Sequence, residues 1–568
     1  MLKIIVIQTL RTLLIAMTFL VHPAYAAPDA GTLQRTLPKK KIEIPKTKDL
    51  VEETPKEEGQ AGPTIVIKLI KFKGNTLIPS DELQGAVKDY INQKLNMSDL
   101  NSIRLRVGEY YRTKGWWATT IYEDQEIDQG SLVITIYEGR VGQILLEPKS
   151  EPLRFPKERA KMFISNKLSP GDPIKILELD QAIADLDAIP GITSKLKLEA
   201  GELVGETDLI IDADNTPLLD GSFLLDNQGS RSTGYGRGLL TLNLNSPLSQ
   251  GEQFNINVLK TDYMDYFGAS ANYPLLDDGT KISYSYTTLE YTLGFPLQDI
   301  GGKGKANSSS LTLTRPIFRT TGVQITGDIG LTHNSYYNYA SSTTTSNKTI
   351  DGVVATANLQ SQDTLFGGGF NVGSLSLKSG RLDLSDYADD YDTDSSTFRT
   401  NGHFDKLNMT YIRIQPLTAS DNLWLNLSGQ YALNKNLDSG EKMSLGGGTG
   451  VRAYPTAEAS GDIGMVVQVE LRHTFTPTVQ ATAFYDFGHI QQYKKTYDGW
   501  NDGDTTIPNR YSLQGVGLGV IWQALENTQV DASIAAKVGG NKGADENGYD
   551  GDTTNHSPRI WVGMTSTF

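Results

Sequence analysis

Gly464–Thr474, GMVVQVELRHT, is followed after a short turn by Val479–Phe487, VQATAFYDF, and these two segments decide the fold. In the first, Met465, Val467, Val469, Leu471 and His473 share one face, opposite Val466, Gln468, Glu470 and Arg472. In the second, Val479, Ala481, Ala483, Tyr485 and Phe487 oppose Gln480, Thr482, Phe484 and Asp486. A period of two with one apolar and one polar face suits a strand standing between lipid and an aqueous lumen. A water-soluble β-sandwich buries an apolar face as well, so the weight rests on repetition, and the same grammar runs from Pro217 to Phe568. Those 352 residues accommodate sixteen strands at 22 residues per strand and loop. Closure favours an even number, with both ends of the barrel at the periplasm.

Working outward from the two strands, the Gly/Asn/Asp/Ser segments near 299–309, 333–351, 383–399, 495–508 and 537–557 read as extracellular loops. Asp277-Asp278-Gly279 and Thr476-Pro477-Thr478 read as short periplasmic turns. In the last strand Ile560, Val562, Met564 and Phe568 share a face, broken only by Ser566, and Trp561 and Phe568 stand as the barrel's C-terminal signal.

Upstream, 64–213 reads as two small α+β units, 64–140 and 141–213. In the first, the β-branched run Thr64–Lys73 predicts a strand, Ser80 and Ser98 predict the caps of two helices, and Gly115 ends the second. Trp116–Glu123 and Ser131–Glu138 then predict a β-pair. The second repeats the order less cleanly: Val141–Leu146, a short helix over Pro156–Ile164, an amphipathic helix ending at Pro190-Gly191, and strands at Leu196–Leu198 and Thr207–Ile211. Sheet edges in such modules suit polypeptide capture by β-augmentation; the plainer reading is two spacers. Residues 27–63, charged and broken by proline, read as a flexible periplasmic leader or linker, with room for a short helix near Leu33 on docking. Residues 1–26 carry Lys3 and Arg11, then the apolar run Leu13–Val21, then Ala24-Tyr25-Ala26, the pattern of a cleaved signal peptide.

Composition narrows the function. Net charge is −14, or −16 without the signal peptide, which disfavours nucleic acid as a partner. There is no cysteine, so thiol catalysis, disulfides and Cys-ligated metals are excluded. No H-E-x-x-H, G-x-S-x-G or phosphate-loop motif occurs, and the six histidines do not cluster, so neither an enzyme nor a bound cofactor or metal is expected.

Four stretches carry a resemblance: Leu225-Asp226-Asn227-Gln228-Gly229-Ser230-Arg231-Ser232-Thr233-Gly234; Asn272-Tyr273-Pro274-Leu275; Gly446–Pro455, GGGTGVRAYP; and Phe484-Tyr485-Asp486-Phe487-Gly488. Together with Ala182–Asp212 they resemble the outer-membrane transporters of two-partner secretion, the haemolysin-activator and haemagglutinin-secretion type. The resemblance implies a membrane all-β fold: a sixteen-stranded transmembrane antiparallel barrel at 217–568 preceded by two α+β POTRA modules. It also implies an extracellular loop folded inward, with Val451, Arg452, Ala453 and Tyr454 as loop motif. Arg452 would then reach Asp486 on a wall marked by Phe484 and Gly488, an arginine fork on a carboxylate. Ala453 stands where the family usually has glycine, so a methyl group must fit in a tight loop, and a plug helix in the leader should be short or absent. The implied partners are a secreted exoprotein with an N-terminal secretion domain, outer-membrane lipid and lipopolysaccharide, and barrel-assembly machinery and periplasmic chaperones during biogenesis. Rival readings are an insertase of the barrel-assembly class and a passive pore. The passenger stays open among adhesin, cytolysin, toxin and haem scavenger.

Overall fold

The protein is represented by a computed structural model that describes residues 27–38, 64–127, 130–320, 322–341, 343–501 and 507–568. The signal peptide expected at 1–26 and the leader segment 39–63 lie outside the described residues. Sixteen antiparallel strands, from Leu219–Asp226 to Arg559–Thr567, close into one barrel. The alternation in the sequence is the alternation of its wall. Leu311, Leu313, Ile329 and Leu331 lie exposed on the outside, where lipid covers them, while the intervening positions face the lumen. The closing seam is short: Gly563–Thr567 pairs with Ser222–Asp226 over five residues, against eight between the first two strands. Asn227 extends it, its Nδ2 donating to the Ile560 carbonyl at 2.9 Å and its Oδ1 accepting from the Val562 N–H at 2.9 Å.

Residues 299–309 and 333–351 depart from expectation. They belong largely to strands Gly302–Arg319, Val323–Ala340 and Thr343–Asp363, which are 18, 18 and 21 residues long. About ten tilted residues cross the hydrocarbon, so these strands continue well past it. Beyond the lipid the outer face of a hairpin meets water, while Ala306, Asn334, Tyr336, Asn338 and Ile350 on the inner face are buried, so a polar sequence there does not report loss of pairing. Residues 383–399 contain a helix, Ala388–Ser396.

The two units upstream are three-stranded sheets covered by helices. In the first, Leu69–Lys73 runs parallel to Ser131–Glu138, which also pairs with Ala118–Ile121. Its helices are Ser80–Val87 and Met97–Thr113. The caps differ from expectation. Pro79, with no side-chain bond, stands at the first N-cap, and Asn96 with Asp99 forms a capping box at the second, because a reciprocal pair satisfies two orphan amides where Ser98 would satisfy one. In the second unit the order is Arg140–Pro148, Glu206–Asn215, Ile192–Ala200, under helices Lys157–Ser165 and Ile176–Asp187. This unit is clasped to the barrel's periplasmic turns. Arg159 Nη2 and Nε contact Asp277 Oδ1 at 2.7 and 2.9 Å, and Asp185 accepts from Arg319 at 3.1 Å and Lys167 at 2.7 Å.

In the first unit Glu138 ties strand to turn. It accepts from the backbone of Thr76 and Leu77, both at 2.7 Å, and from the Tyr111 hydroxyl at 2.8 Å. Burial pushes its carboxyl upward, but these hydrogen bonds together outweigh burial and hold it below its ordinary value. Its stabilisation is therefore complete above about pH 4.3 and is lost as pH falls through the lower folded value. Replacing Glu138 by alanine costs this unit about 2 kcal/mol, measured as faster hydrogen exchange at the Thr76 and Leu77 amides of the full chain.

Candidate functional site

The chain between strands Asp421–Ala432 and Ile463–Thr476 turns back into the lumen. A two-residue pair, Met443–Ser444 with Ser460–Gly461, forms its stem, and Val451, Ala453 and Tyr454 are wholly buried at its tip. Arg452 is the anchor. Its Nε and Nη2 donate to the two oxygens of Asp486 at 2.8 and 2.6 Å, and its backbone N–H donates to Asp486 Oδ2 at 3.0 Å. Nη1 reaches Glu470, and the guanidinium lies 3.4 Å from the centre of the Phe484 ring. Asp486 is fully buried, so breaking this pair would strand a charge in the lumen wall.

Glycines on the wall make room for the loop. A Cβ on Gly488 would come within 2.9 Å of Val451, and one on Gly515 within 2.8 Å of the Ala453 methyl. The alanine is thus accommodated by a glycine on the facing strand. At the outer end Glu458 accepts from Asn541 at 2.7 Å and from the Gly551 N–H at 2.6 Å. Burial first, and then the neighbouring Asp550 charge, push its carboxyl up to about 7.

A second element fills the lumen: the helix Ala30–Arg35, capped by Asp29 through the Thr32 N–H at 2.8 Å. Ala30 and Leu33 are buried against Leu289, Ala306, Ile350 and Leu382 of the wall. Lys348 Nζ holds Asp29 at 3.0 Å and Asp438 at 2.8 Å. Asn338 Oδ1 accepts the Ala30 N–H at 3.0 Å, and Arg35 donates to the Lys442 carbonyl in the stem of the loop. Gly31 is where helix meets loop, since a Cβ there would lie 2.8 Å from Gly440 Cα. This is the short plug helix that the leader left open.

Arg452, Asp486, Val451, Ala453, Tyr454, Phe484 and Gly488 thus converge. Trp561 behaves differently from expectation. It faces inward and its Nε1 donates to the Arg452 carbonyl at 2.7 Å, whereas Phe568 stays on the outer face beside Gly221. Because Trp561 and Phe568 are seven positions apart, an odd separation, the pleat puts them on opposite faces. Sequence reasoning missed Glu470 as a second acceptor, the glycine row Gly515, Gly517 and Gly519, and the Lys348 clamp. The glycine row was visible as a period-two pattern; the clamp joins residues more than three hundred positions apart and left no local signal.

A closed barrel with modules on its periplasmic side, an inward loop and a helix in its lumen is the architecture of an outer-membrane transporter. The family model described as haemolysin secretion/activation protein ShlB/FhaC/HecB matches residues 205–520, and a POTRA domain of ShlB type matches 65–139. The chain is 25% identical over 562 residues to the heme/hemopexin transporter protein HuxB of Haemophilus influenzae, with 96% of each chain covered. Among solved structures it is similar to CdiB from Escherichia coli, at TM-score 0.64 and 19% identity over 95% of each chain. CdiB from Acinetobacter baumannii aligns at TM-score 0.60 and 17% identity over 100% of this chain and 98% of that one. The chain belongs to the haemolysin secretion/activation family of two-partner secretion transporters. It is an outer-membrane protein with POTRA modules in the periplasm, and it moves a partner exoprotein across that membrane by passive translocation rather than catalysis.

Two outcomes follow from this geometry. Arg452→Ala or Asp486→Ala reduces secretion while the barrel still assembles, read from supernatant protein and from heat-modifiable mobility of the barrel; secretion at the unmodified level by both excludes the anchor. Gly31→Leu forces helix and loop apart and raises single-channel conductance in planar bilayers, and an unchanged conductance shows that the helix does not close the lumen.

Proposed function

We propose that the unfolded exoprotein, entering by an N-terminal secretion domain, is first held at the open edges of the two POTRA modules. It then threads the lumen as the plug helix leaves, and folds outside. The supporting observation is the pair of fillings in one lumen: a loop anchored by buried charge and a separate helix of six residues. Residues 39–63, 25 in number, connect that helix to the first module and reach at most about 3.5 Å per residue, enough for the helix to withdraw toward the periplasm. Strand Leu69–Lys73 pairs, among the described strands, with Ser131–Glu138 alone, so its other edge is available to a guest strand whatever the guest's side chains. Folding on the far side biases net motion outward without nucleotide.

During biogenesis the outward Phe568 is the mark read by the barrel-assembly machinery, with periplasmic chaperones delivering the chain, and the long extracellular hairpins meet lipopolysaccharide. The insertase reading has no comparable support in the lumen, where an anchored loop and a retained plug suit a gated conduit.

Quantitative proteomics of supernatant and outer-membrane fractions, with and without this gene, tests the reading. Loss of one large exported protein with other barrels unchanged is expected, and names the passenger. Depletion of many barrels would establish the insertase instead. Deleting 64–140 should abolish export and leave an inserted barrel; normal export would reduce the first module to a spacer.

A further inference from the structure

The lumen wall is not uniform. Across the first seven barrel strands one rung of directly paired, inward residues reads Asp220, Asn243, Asn255, Ser270, Ser285, Ser310 and Thr332. Below the plug this rung is amide and hydroxyl, with Asp220 its single charge, and that charge is occupied by Asn243 and Asn245, both at 2.6 Å. The amides satisfy one another: Asn255 donates to Asn243 at 2.6 Å, and Ser285 and Ser310 share a hydrogen bond at 2.8 Å. Four residues further along the strand Lys281–Thr292 the character inverts. The rung Leu259, Tyr266, Leu289, Ala306 and Tyr336 is apolar, and Leu289 and Ala306 are buried because Ala30 and Leu33 of the plug cover them.

The opposite wall is already taken. There Glu470, Phe484, Asp486, Gly488 and Gly515 hold the inward loop. An apolar patch inside a water-filled barrel costs free energy when bare, so withdrawal of the plug leaves a site that favours whatever apolar side chains replace Ala30 and Leu33.

We propose that this half of the wall is the track of the exported chain: an extended polypeptide slides over the neutral amide-hydroxyl rung and seats its small apolar side chains where the plug helix rested. The inference rests on the transport reading above and specifies the surface on which it occurs. A rung of mutually satisfied amides and hydroxyls, whose one charge, Asp220, is met by Asn243 and Asn245, exchanges single hydrogen bonds with a passing backbone. The vacated seat makes the passenger a competitor of the plug, so occupancy by the passenger keeps the gate open.

The absence of cysteine makes the test direct. Single cysteines are placed in the full chain at Ser285 and Ala306 on the track, and at Gln480 and Ser533, also lumen-facing, on the other side. Each is loaded with benzophenone maleimide in secreting cells and illuminated, and adducts with the passenger named by the proteomics are quantified. Only variants that secrete at the unmodified level are scored, with Ser310→Cys standing in for Ala306→Cys if the latter fails to assemble. Adducts at the track positions at least fivefold above those at 480 and 533 are expected. Equal adducts at all positions, or adducts confined to 480 and 533, overturn the track while leaving transport intact. A passenger whose export does not depend on this chain overturns the transport reading itself.

Discussion

In hydrocarbon every backbone amide and carbonyl must be satisfied within the protein, and a sheet meets that demand only by leaving no edge. Closure is therefore the constraint on which the rest of this molecule depends. It brings Gly563–Thr567 to Ser222–Asp226 across almost the whole length of the barrel sequence, and at the end of that pairing the Asn227 side chain joins its own backbone N–H in bonding the last strand. It also sets the size of the interior. Sixteen strands enclose more space than their own side chains fill, so a barrel of this circumference is closed to solutes only if other parts of the chain enter it.

Two parts do, and they are held by different physics. The loop is fixed by a buried arginine whose charge is met by Asp486 and Glu470 and whose flat face lies on Phe484. Such a pair is hard to break because either partner alone would be left in a poorly hydrated wall. The plug is held by the Asp29–Lys348 ion pair, by hydrogen bonds to Asn338, Ser439, Arg237 and the stem of the loop, and by two buried apolar residues, Ala30 and Leu33. The stem is itself pinned, since Glu441 meets Lys378 and Lys406. The dependence runs in one direction: the wall holds the loop, and the loop helps hold the plug.

Much of this was legible in single segments. The period-two pattern of Gly464–Phe487 identified strands facing two solvents, and Asp486 fell on the inward face by parity alone. The strands and helices of the upstream modules followed from β-branched runs and amphipathic spacing. Local rules failed where the environment, rather than the residue type, decided. The polar stretches 299–309 and 333–351 are strand because their outer face meets water and the inner face, through Asn338 and Lys348, meets polar groups of the lumenal helix. Ser98 lost its cap to the reciprocal pair Asn96 and Asp99, and the helix at Ser80 starts after Pro79 with no side-chain cap.

The sequence by itself determined the barrel, the order of the modules and the charges available to the lumen, because alternation and turn chemistry act between near neighbours. Only the tertiary structure decided which charges meet. Lys348 finds Asp29, Trp561 turns inward to the Arg452 carbonyl, and the Ala453 methyl finds space at Gly515, in each case because closure brings distant strands around a common interior. A pairing between residues tens to hundreds of positions apart has no local signature, since what selects it is the shape of the space that the whole chain encloses.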